Sequence, residues 1–158
     1  ALPIWMMTHY RGMRRGFCAV TGSAGHGTGR IARVWRFEPV AGAQARLRAW
    51  LANEVLPSLP PQPGLCAAHL VESVLPPAMT NEQRIRGSDG PVDWAVIVTG
   101  FREAALADLE AHGLDASSLT DHGANGIVEG QYALDCTLTN EEVAHAAAKT
   151  HTPVAPRG

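Results

Sequence analysis

Two side chains in this sequence have the type and setting to move a proton, Glu54 and His69. Glu54 shares a helical face with Leu47, Trp50 and Leu51 and is therefore expected to point at a sheet. A desolvated carboxylate there is costly unless paired, and its pKa rises toward the range of a general base. His69 alternates with Leu65, Ala67 and Val71 along a strand, and an imidazole exchanges protons near neutral pH. His9, beside Tyr10, is a further candidate. Trp35, Trp50 and Trp94 could converge as flat walls for an aromatic ligand. Arg33 and Arg36 project from opposite faces of one strand, so at most one of them can hold a carboxylate or enolate in the same pocket. Each residue also has a plainer use. Glu54 could reach solvent or pair with an arginine, the histidines could be hydrogen-bonded interior or interface groups, and the tryptophans could pack a core.

Other chemistries lack their residues. The run Gly22-Ser-Ala-Gly-His-Gly27-Thr28 is superficially a phosphate loop, but its lysine is missing and an alternating strand follows it instead of a helix. Seven histidines are present, yet no HxH, HxxxH or HExxH spacing occurs, so no metal site is expected. A haem needs a single histidine and stays open. Cys18, Cys66 and Cys136 are odd in number and far apart, which argues against a disulfide framework and a zinc site and for reduced thiols in a cytoplasmic protein.

The elements that must position these groups can be read from the pattern. A chain of 158 residues, 46% hydrophobic and 18% charged, suits one folded domain. A net charge of −2 gives no field that would draw nucleic acid or an anionic membrane, and Arg11, Arg14 and Arg15 read as a solvated cluster. No window reaches the ~18 apolar residues of a membrane span. Residues 1–29 read as an extension, with apolar pieces at Ile4–Met7 and Phe17–Val20 and a glycine-rich loop at 22–29. Residues 30–149 read as the folded domain and 150–158 as a tail.

Within that domain, Arg30–Glu38 alternates as a strand, and Ala43–Leu59 carries a helical stripe that ends at Pro57, Pro60 and Pro61. Leu65–Ser73 is a second strand, and residues 75–91 a long polar connection. Val92–Phe101 is a third strand, and Arg102–His112 a helix stopped by Gly113. Residues 114–130 read as loop and Gln131–Leu138 as the last strand. Thr139 and Glu142 form a capping box before a short C-terminal helix. The order βαββαβ, with right-handed crossovers, puts both helices on one face of a four-stranded antiparallel sheet, an α+β fold of ferredoxin-like type. The other face is apolar too, so burial against a second copy is expected.

The segment from Trp50 through Glu54 to Pro57, followed by Pro63-Gly64 and a strand, resembles the dimeric α+β-barrel superfamily, in particular its EthD and antibiotic-biosynthesis-monooxygenase branches. In element order the resemblance covers roughly residues 30–138. Where many relatives carry histidine after the acid, this chain has Val55, which puts any activity dependent on that imidazole in doubt. The resemblance implies two sheets packed face to face, with a pocket in each subunit between sheet and helices. Members include cofactor-free oxygenases, lactone isomerases, polyketide cyclases and haem-handling proteins, so the fold does not choose a reaction.

The expectation is thus a homodimeric enzyme without organic cofactor, acting on an apolar, aromatic or lactone-like molecule. Glu54 or His69 would move the proton and an arginine would hold the oxyanion. The alternative is a non-catalytic module that binds a ligand or haem, or in which only the dimer matters.

Overall fold

A computed structural model describes residues 18–74, 94–135 and 141. His9, the 75–91 connection, Cys136, the Thr139–Glu142 capping box and the 150–158 tail lie outside the described residues. Five strands, β1 Cys18–Gly25, β2 Ile31–Pro39, β3 Leu65–Ser73, β4 Trp94–Gly100 and β5 Ala124–Ala133, make one sheet of order β1-β3-β4-β2-β5. Every neighbouring pair is antiparallel. The order differs from a four-stranded ferredoxin-like sheet by the strand β1, added along β3. The α+β architecture remains compatible with that fold.

The added strand enters the run that reads as a glycine-rich loop, and a steric reason explains why glycine suits it. A β-carbon on Gly22 would stand 3.0 Å from Leu56 Cδ1 and 3.4 Å from Leu70 Cβ, so a bare backbone lets the first helix lie close over this strand. The last strand also departs from expectation, beginning at Ala124 instead of Gln131. Residues 114–130 are not all loop, because Ala116–Asp121 is helical.

Helix α1 runs from Gln44 to Trp50 and continues through a π-helical turn, Leu51–Val55, and a last α-turn, Leu56–Ser58. The π-turn places the Leu56 N–H on the Leu51 carbonyl, five residues back. Pro57 lies just beyond this turn, where it lacks a donor and its ring crowds the carbonyl four residues earlier, at Asn53. The wider turn aligns side chains four apart, and Leu47, Leu51, Val55 and Leu59 form the buried line, joined by Leu56.

Helix α2 is α-helical over Glu103–Ala107 and tightens to 3-10 over Asp108–His112. It closes at Gly113, whose φ of +77° is left-handed. The Leu114 N–H reaches the Leu109 carbonyl and the Gly113 N–H the Glu110 carbonyl, the paired bonds of a Schellman end, with Leu109 and Leu114 buried beside them. Helix α3 is Ala116–Asp121. Among the described residues, no helix is long and apolar enough to cross a membrane.

The core lies between the helices and one face of the sheet. Trp35 and Phe37 of β2, Ala68 and Leu70 of β3, and Trp94, Val96 and Val98 of β4 meet Leu47, Leu51, Leu56, Leu106, Leu109 and Leu119 there in one continuous cluster. The ends of three strands close on bare backbone: a β-carbon on Gly29 would lie within contact of the Gly100 main chain, and one on Gly100 would stand 2.6 Å from the Gly64 carbonyl oxygen. The Phe101 N–H donates to that same oxygen at 2.8 Å.

Candidate functional site

Cross-strand pairing resolves the helix-free face into three rows that cross all five strands. One row is Val20, Val71, Ala95, Arg36 and Val128, the next is Ser23, His69, Ile97, Val34 and Gly130, and the third is Gly25, Ala67, Thr99, Ala32 and Tyr132. Side chains directly opposite in antiparallel strands share a face, so each row is a line of lateral neighbours. Val20, Val128 and Tyr132 are 64%, 51% and 55% exposed. Val34, Val71 and Ile97 are half-buried by their neighbours. A β-carbon on Gly130 would meet the Tyr132 hydroxyl and ring, so the tyrosine lies over the glycine and extends the apolar surface to the β5 edge.

His69 is on this helix-free face. Its Nδ1 is 2.8 Å from Ser23 Oγ, a hydrogen bond between an imidazole and a hydroxyl at the open surface. Arg36, half-buried on the same face, has no hydrogen-bonding or acidic partner among the described residues.

The helix side holds the other candidates, mostly engaged within the chain. Trp35 is 1% exposed, with the Arg33 guanidinium 5.1 Å from its ring centroid. Arg33 donates from Nε to Glu129 Oε1 at 2.5 Å and from a terminal nitrogen to the Leu106 carbonyl at 2.6 Å. The two arginines therefore project from opposite faces, as their alternation requires, and Arg33 is the one beside the core. Trp94 is buried beneath Arg48, whose guanidinium lies 5.1 Å from its ring. Arg48 makes two bonds to Glu72, at 2.6 and 2.5 Å, and Thr21 Oγ1 donates to the same carboxylate at 2.6 Å. These bonds, those from Arg48 first, hold the Glu72 carboxyl below its ordinary pKa, and the same contact raises that of Arg48.

Glu54 corrects the sequence reading. It is exposed, on the solvent side of α1, because the π-turn selects the line Leu47, Leu51, Val55 and Leu59 and carries position 54 away from the sheet. Glu54 and His69 consequently lie on opposite sides of the molecule, and one pocket does not gather both. Trp50 is also displaced from the position expected of it. Half-buried at the flank of α1, it stacks on His122 with ring centroids 3.7 Å apart and 5° between planes.

His122 and Glu72 were not candidates from sequence. Glu72 alternates into the apolar face of β3, and a lone acid in such a strand signals a buried pair. His122 carries no comparable signal, since its place follows from the short helix α3 that ends beside it.

No family model matches the chain, and comparison with curated proteins returns no match. A solved structure described as a major regulator of staphylococcal pathogenesis is similar in fold. It has a TM-score of 0.52 and 11% sequence identity, over 75% of this chain and 68% of that one. At that identity the likeness concerns the fold alone. Among the described residues, no group of three or more histidine, cysteine, aspartate or glutamate side chains is placed to hold a metal ion. Cys66 is partly buried, which pushes its thiol pKa up and away from reactivity.

Proposed function

We propose that the chain is a homodimeric binding module of the dimeric α+β-barrel type, in which two copies bury their helix-free sheet faces against each other. The observation that carries this reading is the three-row face itself, running from Val20 at one edge to Tyr132 at the other, mostly apolar but broken by Arg36, Ser23, His69 and Thr99, and covered by no described element. Five strands at about 4.8 Å spacing and three rows about 6.6 Å apart make a face on the order of 480 Å². Two such faces together bury about 950 Å², close to the ~1,000 Å² at which a specific interface becomes reasonable. A binding role is favoured over catalysis because Trp35, Trp94 and the α1 leucines fill the space between sheet and helices, while Arg33 and Arg48 are held in ion pairs.

Light scattering coupled to size-exclusion chromatography tests it. The chain should run as a dimer, and Val20→Glu combined with Tyr132→Glu should run as a folded monomer by circular dichroism. A wild-type monomer at high concentration, or a dimer indifferent to both substitutions, would refute the reading.

A second reading, an EthD-like or monooxygenase-like enzyme without organic cofactor acting on an apolar aromatic or lactone-like molecule, is favoured by the bond between Ser23 and His69. In a face-to-face dimer that imidazole would sit at the enclosed surface, where it could accept a proton from a bound substrate. On a substrate found by screening, His69→Ala should abolish turnover while leaving the dimer intact. Full turnover by that variant removes the reading.

A further inference from the structure

Asn125 is followed by Gly126, whereas Asn53, Asn81 and Asn140 are each followed by glutamate. A side chain on the following residue shields the main-chain nitrogen between the two, and glycine has none. The fold adds to this difference. Strand β5 pairs with β2 as Arg36 with Val128 and then as Glu38 with Asn125, so the register shifts between those pairs. Gly126 and Ile127 face Phe37 across this bulge, two residues against one, and neither is its direct partner in the register.

At the bulge the Gly126 N–H donates to Asn125 Oδ1 at 2.8 Å. A backbone N–H can only donate, so the atom it meets is the amide oxygen. The bond keeps the Asn125 amide beside the nitrogen of the next peptide, and a turn about Cβ–Cγ presents the amide carbon, one bond from Oδ1, to that nitrogen. Both residues are exposed, Gly126 is left-handed at a φ of +61°, and a β-carbon on it would meet nothing within 4 Å. Water and hydroxide therefore have an open approach to this peptide.

We propose that Asn125 is a modification site, deamidated spontaneously through a cyclic imide formed with Gly126. Hydroxide removes the Gly126 N–H proton, the nitrogen bonds to Asn125 Cγ, and the bond from Cγ to Nδ2 breaks as Nδ2 takes a proton from water and leaves as ammonia. Water then opens the ring at either carbonyl, giving aspartate or isoaspartate. The chain gains a negative charge at the cross-strand partner of Glu38, where like charges oppose each other. Isoaspartate also adds a carbon to the main chain two residues after Gly123, whose carbonyl accepts from the Val40 N–H at 2.8 Å. The modification therefore loosens the first residues of β5 from the end of β2.

The test incubates the full chain in heavy-oxygen water at neutral and at alkaline pH and maps its peptides by a method that separates aspartate from isoaspartate. Asn125 should convert at least about tenfold faster than Asn53, take up heavy oxygen, give isoaspartate beside aspartate, and speed up as hydroxide rises. The converted chain, separated by anion exchange, should melt at a lower temperature than the unconverted one. Asn125→Gln should remove the conversion and unfold as the parent chain does. An Asn125 that stays intact in the folded chain while it converts in the chain unfolded by urea, a product that is aspartate without isoaspartate, or a rate no higher than that of Asn53 would each overturn the proposal. None of these readouts depends on the sheet-face dimer, which stands or falls by light scattering.

Discussion

Glu72 has a side chain only 9% exposed and accepts bonds from Arg48 and Thr21, which makes it a titratable brace between α1, β1 and β3. Its folded pKa lies below the ordinary carboxylate value, chiefly through the Arg48 bonds. The brace is therefore fully effective above the unfolded pKa and is lost as the pH falls through the lower, folded one. Urea unfolding followed from neutral to acid pH should show the midpoint falling in that window. Glu72→Gln should flatten that fall and lower stability at neutral pH by about 1–3 kcal/mol, the range for a partly buried charge-assisted bond. Arg48→Met should be worse than Glu72→Gln, because it leaves a buried carboxylate without its cation.

Asp115 shows how much a short element depends on its first residue. Its carboxylate accepts from the Ser117 and Ser118 N–H groups and from the Ser118 hydroxyl, and the Ser118 bonds lower its pKa. Six residues cannot hold a helix by propensity, so the cap and the burial of Leu119 keep α3 formed. Asp115→Ala should cost about 1 kcal/mol by thermal unfolding and should loosen the Trp50 and His122 stack, seen as a change in tryptophan fluorescence. This element shows why parts of the site were illegible in sequence. Alternation exposed β2, β3 and β4, and the glycine at 113 marked the end of α2. Helix α3 had no apolar period long enough to register, and β5 carries Gly126, Glu129 and Gly130 where alternation would be sought. Glu54 was misplaced for a different reason, since a π-turn changes which residues share a face and no period of 3.6 contains that shift.

At the scale of the whole molecule, the α+β class, the two main helices and the inner strands followed from periodicity, whereas β1 did not, because its sheet pairing is long-range and its glycines read locally as loop. The same scale governs the dimer. If two sheet faces bury each other, the unfolding temperature must rise with protein concentration by mass action, and the doubly substituted Val20→Glu, Tyr132→Glu chain must lose that dependence. His69 and Arg36 were recognised as residues of interest without the face they would share, since that face exists only once five strands are laid side by side.

The bare-backbone contact at the strand ends has one further implication. Gly29, Gly100 and Gly64 touch main chain to main chain, so a methyl group at 29 or 100 has nowhere to go except by prising β2 from β4 or β3 from β4. Saturation libraries at these two sites should therefore return glycine alone among well-folded clones, with Gly29→Ala destabilised by about 1–3 kcal/mol. The fold is spot-welded at that corner, and a recovered alanine there would mean the weld can give.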